Sequence, residues 1–169
     1  SIGSELCRQI ARFTPKKLVL FESSEFALYN IEQELQKIFP QLDIVYLAGD
    51  VRDEVRLEQV FAECGPSTVF HAAAYKHVPL MERHNAWQAV RNNVFGTWRV
   101  ASCAQRHGVE KFVLISTDKA VNPTNVMGTT KRMAEMVCQG LQESFVGRDS
   151  SRHIGLKPDL QRRILTSPV

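Results

Sequence analysis

The fold is constrained most by a regular alternation of short apolar runs with longer amphipathic segments. The apolar runs, rich in β-branched and aromatic residues, have the length of buried strands and fall at residues 17–21, 43–47, 67–71 and 111–116. The segments of helical periodicity fall at about residues 3–13, 25–39, 53–63, 82–107 and 126–145. This alternation predicts an α/β fold with a doubly wound, Rossmann-like parallel sheet buried on both faces. The loops after the strands then share one edge of the sheet, where such folds bind ligands.

The two ends of the chain depart from this alternation. A helix begins at once, with Ser1 or Ser4 as its N-cap, although an alternating fold should place a strand and a glycine-rich turn before it. After about Glu143 the hydrophobic periodicity fades, and Arg, Ser and Pro become frequent. We therefore expect a partial nucleotide-binding domain at residues 1–145, without its first strand or a substrate lobe, and an irregular basic tail at residues 146–169.

Charge and hydropathy argue against several classes of protein. The formal net charge is +3, and the tail alone accounts for it with five Lys or Arg residues against two Asp. A neutral body with a basic tail does not indicate nucleic-acid binding. No apolar run reaches the roughly 18 residues of a membrane-spanning helix, and no signal segment opens the chain. Because Cys7, Cys64, Cys103 and Cys138 form no CxxC pair, we predict free thiols in a reducing cytoplasm and no metal site.

Three loop positions are candidates for dinucleotide binding. Gly3, near the start of the first helix, would let a phosphate approach the helix N-terminus, although an ordinary helix start also explains it. Glu22 directly follows the first apolar run, where a carboxylate can accept hydrogen bonds from both ribose hydroxyls of a dinucleotide. Its charge would repel a 2′-phosphate and so favours NAD over NADP. The alternative is that Glu22 is an exposed loop acid without a ligand. Asp50 follows the next run and can accept from an adenine amino group, unless Asp50 or Asp53 merely caps the following helix.

Two further loops carry groups suited to substrate chemistry. Three consecutive alanines follow His71, and the small side chains would let a ligand pass close to the backbone before Lys76 and His77. Lys76 can meet a phosphate or a sugar hydroxyl, with a solvated surface lysine as the alternative. Residues 116–119 place hydroxyls, an acid and a base after the last apolar run, as proton transfer requires, or else form a surface ion pair.

Four motifs together identify a family. They are SIGSEL at residues 1–6, HAAAYKHVPLME at 71–82, NNVFGT at 92–97 and STDKAVNPTNVMGTTKR at 116–132. From residue 1 to about Gln142 the chain resembles extended short-chain dehydrogenases/reductases of the bacterial polysaccharide-biosynthesis group. Within that group it is most similar to the membrane-anchored UDP-N-acetylglucosamine 4,6-dehydratases.

The resemblance implies a role for each matched residue. The cofactor positions are Ser1, Ile2 and Gly3 at the pyrophosphate, Glu22 at the ribose, Asp50 and Val51 at the adenine, Ala72, Ala73 and Ala74 beneath the cofactor, and Asn93 in the helix that supports the active site. Lys76 matches a substrate-side lysine, with His77 beside it. The catalytic positions are Thr117, Asp118, Lys119 and Lys131, together with Met127, which stands where most relatives have a tyrosine.

The implied reaction is loss of water across C5 and C6 of a UDP-N-acetyl-hexosamine, with NAD as cofactor and NADP as the alternative. Lys119 would be the base at C5, and Asp118, with a raised pKa, the acid for the C6 hydroxyl. Thr117 would bond the C4 oxygen, and Lys131 would hold the nicotinamide ribose. Met127 has no proton to exchange, so the group that takes the C4 proton stays unassigned.

Two other functions stay open at this stage. A nucleotide-sugar 4-epimerase shares the oxidation at C4 but needs no acid–base pair at C5 and C6. A non-catalytic nucleotide-binding remnant is the second, because nothing after Glu143 matches the RFGNV-like strand of the family, which suggests a frameshift or truncation. The complete enzyme is expected to be a homo-oligomer anchored at the cytoplasmic face of the inner membrane.

Overall fold

The computed structural model describes residues 1–146, with side chains described as far as residue 142, and it divides into two compact units. The first unit is Ser1–Cys64, and the second begins at Gly65. The predicted basic tail, residues 146–169, lies outside the described residues except for Val146, where the last helix ends.

The first unit has the predicted order of elements. It contains α1 (Ile2–Arg12), β1 (Leu18–Glu22), α2 (Glu25–Ile38), β2 (Ile44–Ala48) and α3 (Glu54–Cys64). The two strands pair in parallel, with Leu18 opposite Ile44 and Glu22 opposite Ala48. Every bound agrees with the sequence prediction to within one residue, because apolar runs, caps and turn residues are local signals.

Side-chain caps and one apolar stripe organise this unit. Ser1 and Ser24 accept the backbone N–H groups of Ser4 and Ala27, which fixes the starts of α1 and α2. Leu28, Ile31 and Leu35 lie on one face of α2 at helical spacing. They form one buried cluster with Ala11, Leu18 and Leu20. The cluster leaves the carboxyl ends of β1 and β2, and the loops that follow them, at the surface.

The second unit contains two strands and a longer set of helices. Its elements are β3 (Thr68–His71), α4 (Val78–Arg83), α5 (Ala86–Ala89), a π-helical turn (Val90–Gly96), α6 (Thr97–Arg106), β4 (Lys111–Leu114), a 3-10 turn (Asp118–Ala120) and α7 (Val126–Val146). The strands pair in parallel, with Thr68 opposite Lys111 and His71 opposite Leu114. None of the described helices is both long and apolar enough to cross a bilayer.

The predicted single helix at 82–107 is wrong in form. Helix α4 begins earlier, at Val78, since Pro79 lies in the first turn, where a missing N–H costs nothing. Helix α4 ends at Arg83, with His84 as its C-cap. The Asn85 side chain then donates to the carbonyl of Leu80, 2.9 Å away. From Ala86 the helix continues to Arg106 but passes through the π-helical turn.

The predicted parallel α/β architecture is confirmed, but not as one continuous sheet. In the described part of the chain the strands form two separate parallel pairs, and each strand has one neighbour. Burial on both faces, which the apolar runs predict, is therefore incomplete: Phe70 in β3 is 43% exposed.

Candidate functional site

The start of α1 carries the first three predicted cofactor residues. Ser1 is the N-cap, and its hydroxyl accepts the Ser4 N–H at 3.1 Å, while Ile2 is 56% exposed. A Cβ added at Gly3 would meet only the Ser1 Oγ, at an ordinary 3.8 Å. Packing within the chain therefore does not require glycine at this position.

Glu22 ends β1 with an exposed side chain. Its Oε1 accepts the Ser24 N–H at 2.9 Å and the Ser23 hydroxyl at 3.3 Å. Within the described residues Oε2 accepts no hydrogen bond, so one carboxylate oxygen is available at the end of the strand. The carboxylate thus lies at the strand end, where the sequence predicts ribose binding.

Asp50 is engaged in a local ion pair that the sequence did not reveal. Both of its carboxylate oxygens accept from the guanidinium of Arg52, with Nη2 2.5 Å from Oδ2. The Arg52 backbone N–H bonds the same carboxylate at 2.8 Å. The capping role considered for this segment belongs to Asp53, which accepts the Arg56 N–H at 3.0 Å, one turn into α3. Val51 lies between the two acids, half-buried, in the turn.

The loop after β3 lines an open groove in the second unit. Ala72 and Ala74 are half-buried and Ala73 is exposed, so only small side chains cover the backbone directly after the strand. The groove has a volume of about 530 Å³. It is lined by Ala74, Tyr75, Lys76, His77, Leu80, Met81, Asn85 and Gln88. Both predicted substrate residues, Lys76 and His77, are exposed and line this groove.

Asn93 fixes the backbone of that loop from inside the π-helical turn. Its Oδ1 accepts the Tyr75 N–H at 2.7 Å, and its Nδ2 donates to the Tyr75 carbonyl at 3.1 Å. The same Nδ2 donates to the Thr130 hydroxyl in α7, 2.9 Å away. Asn93 is 1% exposed, so it cannot itself contact a ligand in this structure. Its observed role is to connect the loop next to Lys76 with the helix that carries Lys131.

The predicted acid–base triplet lies in and just before the 3-10 turn after β4. The Thr117 hydroxyl donates to Asp118 Oδ1 at 2.8 Å, and Lys119 Nζ lies 3.5 Å from the same oxygen. This hydrogen bond from Thr117, and secondarily the charge of Lys119, hold the pKa of Asp118 below its usual value. The raised pKa expected of an acid is therefore not found in this structure, because Asp118 is exposed and has two partners that favour its anion.

The start of α7 lies against this turn. A Cβ added at Gly128 would lie 2.3 Å from the backbone oxygen of Lys119 and 3.3 Å from the Pro123 Cβ, so only glycine allows this approach. Two side chains cap the helix: Asn125 accepts the Gly128 N–H, and Glu82 of α4 accepts the Val126 N–H. Met127, in the tyrosine position, is buried at 5% exposure.

Lys131 is buried one turn further along α7. It is 6% exposed, and its Nζ donates to the Ile115 carbonyl just after β4, 2.5 Å away. Burial lowers the pKa of Lys131, and the nearby carboxylate of Glu135 partly opposes that shift. A lysine whose charge is destabilised by burial is able to influence proton transfer nearby.

The sequence did not indicate the structural contacts of three residues near the predicted loops. Glu82 was the end of a motif, and its capping of α7 depends on a contact 44 residues away along the chain. Glu135 accepts the Ser116 hydroxyl at 2.5 Å and Arg132 at 2.9 Å, which ties the end of β4 to α7. In the first unit, Gly49 faces the Phe21 ring, where a Cβ would approach to 2.3 Å. A glycine directly after a strand was the only available hint.

Comparison with known proteins finds curated relatives in polysaccharide biosynthesis and in nucleotide-sugar conversion. The capsular polysaccharide biosynthesis protein CapD of Staphylococcus aureus is 52% identical over 144 residues, covering 85% of this chain and 24% of CapD. The inverting UDP-N-acetylglucosamine 4,6-dehydratase of Campylobacter jejuni is 34% identical, covering 72% of this chain and 34% of that enzyme. A UDP-glucose 4-epimerase of Rickettsia canadensis is 43% identical over 90 residues, covering 53% of this chain and 26% of the epimerase. The chain thus spans about a quarter to a third of these relatives.

One solved structure illustrates the fold. The dTDP-glucose 4,6-dehydratase DesIV of Streptomyces venezuelae, determined with NAD bound, aligns with a TM-score of 0.72 at 24% identity, over 86% of this chain and 49% of DesIV. At this identity the likeness concerns the fold alone, and it is Rossmann-like. The family described as "Polysaccharide biosynthesis protein" matches residues 1–153. The chain therefore belongs to the polysaccharide biosynthesis protein family.

Proposed function

We propose that this chain supplies the nucleotide-binding and proton-transfer part of a UDP-N-acetylglucosamine 4,6-dehydratase in surface polysaccharide biosynthesis. The observation that carries the proposal is the acid–base pair Asp118–Lys119, with Thr117 donating to Asp118 and Gly128 packed on Lys119. Removing water across a C–C bond needs a base at one carbon and an acid at the leaving oxygen. A 4-epimerase needs neither at C5 and C6. The name of the Campylobacter relative supports the same substrate.

The cofactor we propose is a nicotinamide dinucleotide, NAD rather than NADP. NAD, when bound, supplies the acceptor and donor of the hydride. Glu22 fits the ribose, because one oxygen is available and its charge would repel a 2′-phosphate. Gly3 fits the pyrophosphate, because it lies in the first turn of α1, where N–H groups and the helix dipole favour an anion, and no side chain stands in the way. Asp50 fits the adenine less well, since an amino group would have to displace its ion pair with Arg52.

Thr117 links substrate binding to the acidity of Asp118. It has one hydroxyl proton, which goes to Asp118 in this structure. When that proton turns to the C4 oxygen of a sugar, Asp118 loses the hydrogen bond that contributes most to lowering its pKa. The pKa then moves back toward its ordinary value, which is the direction that an acid for the departing C6 hydroxyl requires. Lys119 is our base at C5. We assign Lys131, which is buried in α7, to the nicotinamide ribose.

Product mass after incubation with UDP-N-acetylglucosamine and NAD tests the proposal. Loss of one water is expected, and Asp118→Asn and Lys119→Met should each abolish it while Arg132→Lys, on the exposed face of α7, retains it. An unchanged mass with an inverted C4 would instead establish an epimerase, which the Rickettsia relative favours. Nucleotide binding by calorimetry without turnover would establish a non-catalytic binding protein. We further propose that the reaction takes place at the cytoplasmic face of the inner membrane in an anchored homo-oligomer.

A further inference from the structure

A buried polar cluster connects four elements of the second unit. It consists of His71 at the end of β3, Asn93 in the π-helical turn, Thr97 at the start of α6 and Thr130 in α7. Their exposed fractions are 4%, 1%, 1% and 2%. Buried polar groups are costly unless hydrogen-bonded, so the bonds within the cluster determine how its members are arranged.

The direction of these hydrogen bonds follows from the atoms involved. Thr97 Oγ1 lies 2.6 Å from the carbonyl oxygen of Asn93, which can only accept, so the hydroxyl proton points there. His71 Nε2 lies 3.0 Å from the same Oγ1. Because the hydroxyl has only one proton, His71 must donate, and Nε2 carries a hydrogen. Burial holds the pKa of His71 near 4, so the ring is neutral at physiological pH and Nδ1 is bare.

Thr97 makes two hydrogen bonds to the end of the π-helical turn. In an α-helix the Thr97 N–H would bond the carbonyl of Asn93, but here it bonds the carbonyl of Val94. The Thr97 hydroxyl provides a bond to the Asn93 carbonyl in its place. A turn of this kind is intrinsically less favourable than α-helix and is often found at functional sites.

The π-helical turn determines where the Asn93 side-chain amide points. That amide makes four hydrogen bonds: it accepts from Tyr75 N and Asn92 Nδ2 and donates to Tyr75 O and Thr130 Oγ1. Both donors and both acceptor positions are thereby used. Tyr75 directly precedes Lys76, and Thr130 directly precedes Lys131. A small rotation of the turn would therefore move both neighbouring segments.

We propose that His71 and Thr97 are positioning residues: His71, protonated on Nε2, holds the Thr97 hydroxyl, and Thr97 holds the π-helical turn that presents Asn93 to Tyr75 and Thr130. Neither residue contacts substrate. Their effect on turnover rests on the proposed function, whereas the hydrogen-bond arrangement does not.

Nuclear magnetic resonance of the full chain tests the arrangement directly. A long-range proton–nitrogen correlation spectrum of histidine-labelled protein identifies which ring nitrogen carries the proton, and His71→Gln assigns the signal among the five histidines. We expect the Nε2–H form for His71. Finding the proton on Nδ1, or a ring charged at pH 7, would overturn the proposal without any reference to enzyme activity.

Three variants test the positioning role. Thr97→Val keeps the shape and removes the hydroxyl, Thr97→Ser keeps the hydroxyl, and Ser102→Ala removes another buried hydroxyl of the same helix. The Asn93 side-chain amide resonances should shift strongly in Thr97→Val and remain in place in the other two. Unmoved Asn93 signals in Thr97→Val would refute the role.

Turnover provides the link to function. If the chain dehydrates UDP-N-acetylglucosamine, kcat should fall by about tenfold or more in Thr97→Val and recover in Thr97→Ser, as expected for misplaced groups. An unchanged kcat would refute positioning. If the parent chain does not dehydrate the sugar, the proposed function fails, and the resonance measurements still decide the arrangement.

Discussion

Replacing Gly128 with alanine tests how closely α7 approaches the Asp118–Ala120 turn. The new Cβ would lie 2.3 Å from the Lys119 backbone oxygen, and a normal contact needs about one ångström more. A backbone carbonyl cannot rotate away as a flexible side chain does, so either the turn or the helix must move. Overpacking of this kind costs about 1–3 kcal/mol, which is opposed by a gain of up to about 1 kcal/mol for Gly→Ala in a helix.

Gly140 provides the matched control. It lies in the same helix, and a Cβ there would meet nothing within 4 Å. Gly140→Ala should therefore gain the helix propensity alone, and the two variants should differ by about 1–3 kcal/mol in the free energy of unfolding. Urea denaturation of both variants measures this difference. Equal stabilities would refute the close approach, and loss of turnover in Gly128→Ala alone would connect that approach to the position of Lys119.

Three further predictions concern other parts of the chain. Burial keeps the pKa of His71 near 4, whereas a free histidine titrates near 6.5, so the neutral ring contributes fully to the free energy of unfolding above pH 6.5. This contribution, about 3 kcal/mol, is lost as the pH falls toward 4. Urea unfolding across this range should show the free energy of unfolding falling with pH, and His71→Gln should lack that dependence. Gly49→Ala should cost about 1 kcal/mol through the Phe21 ring, and adding Phe21→Leu should recover most of it in the same assay. Glu22→Ser should shift the ratio of NADP to NAD affinity, measured by calorimetry, by about tenfold toward NADP, and an unchanged ratio would contradict ribose binding by Glu22.

The secondary structure was largely predictable because its signals are local. Strand β1 begins with four consecutive apolar residues, and α2 combines the Ser24 cap with apolar residues at helical spacing. The location of the candidate catalytic residues in a loop after a strand was predictable for a similar reason, and their catalytic roles stay a prediction. In a parallel α/β chain the loops after strands are where ligands bind, and residues 116–119 lie in the loop that follows β4.

Other features depend on contacts between distant residues or on local competition. The sequence around Asn93 contains no proline or other residue that predicts a π-helical turn, and the turn is stabilised by His71, which comes 22 residues earlier. Arg52 competes for Asp50 only because the turn between them folds back. The lowered pKa of Asp118 depends on the direction of the Thr117 hydroxyl, which no residue pattern specifies.

The π-helical turn makes the chain unusually sensitive to a change in length at one place. Within Val90–Gly96 the helix accommodates more residues per turn than an α-helix does. Deleting one residue there would allow regular α-helix from Ala86 to Arg106 with both halves close to their present orientation, because the wider turn is what absorbs the additional residue. We expect such a deletion to make the helical hydrogen bonding regular and to turn the Asn93 side chain away from Tyr75. Attempts to shorten or idealise this segment would select for a stable helix but lose the contacts of Asn93 with Tyr75 and Thr130, so residues 90–96 are a poor choice for stabilising design.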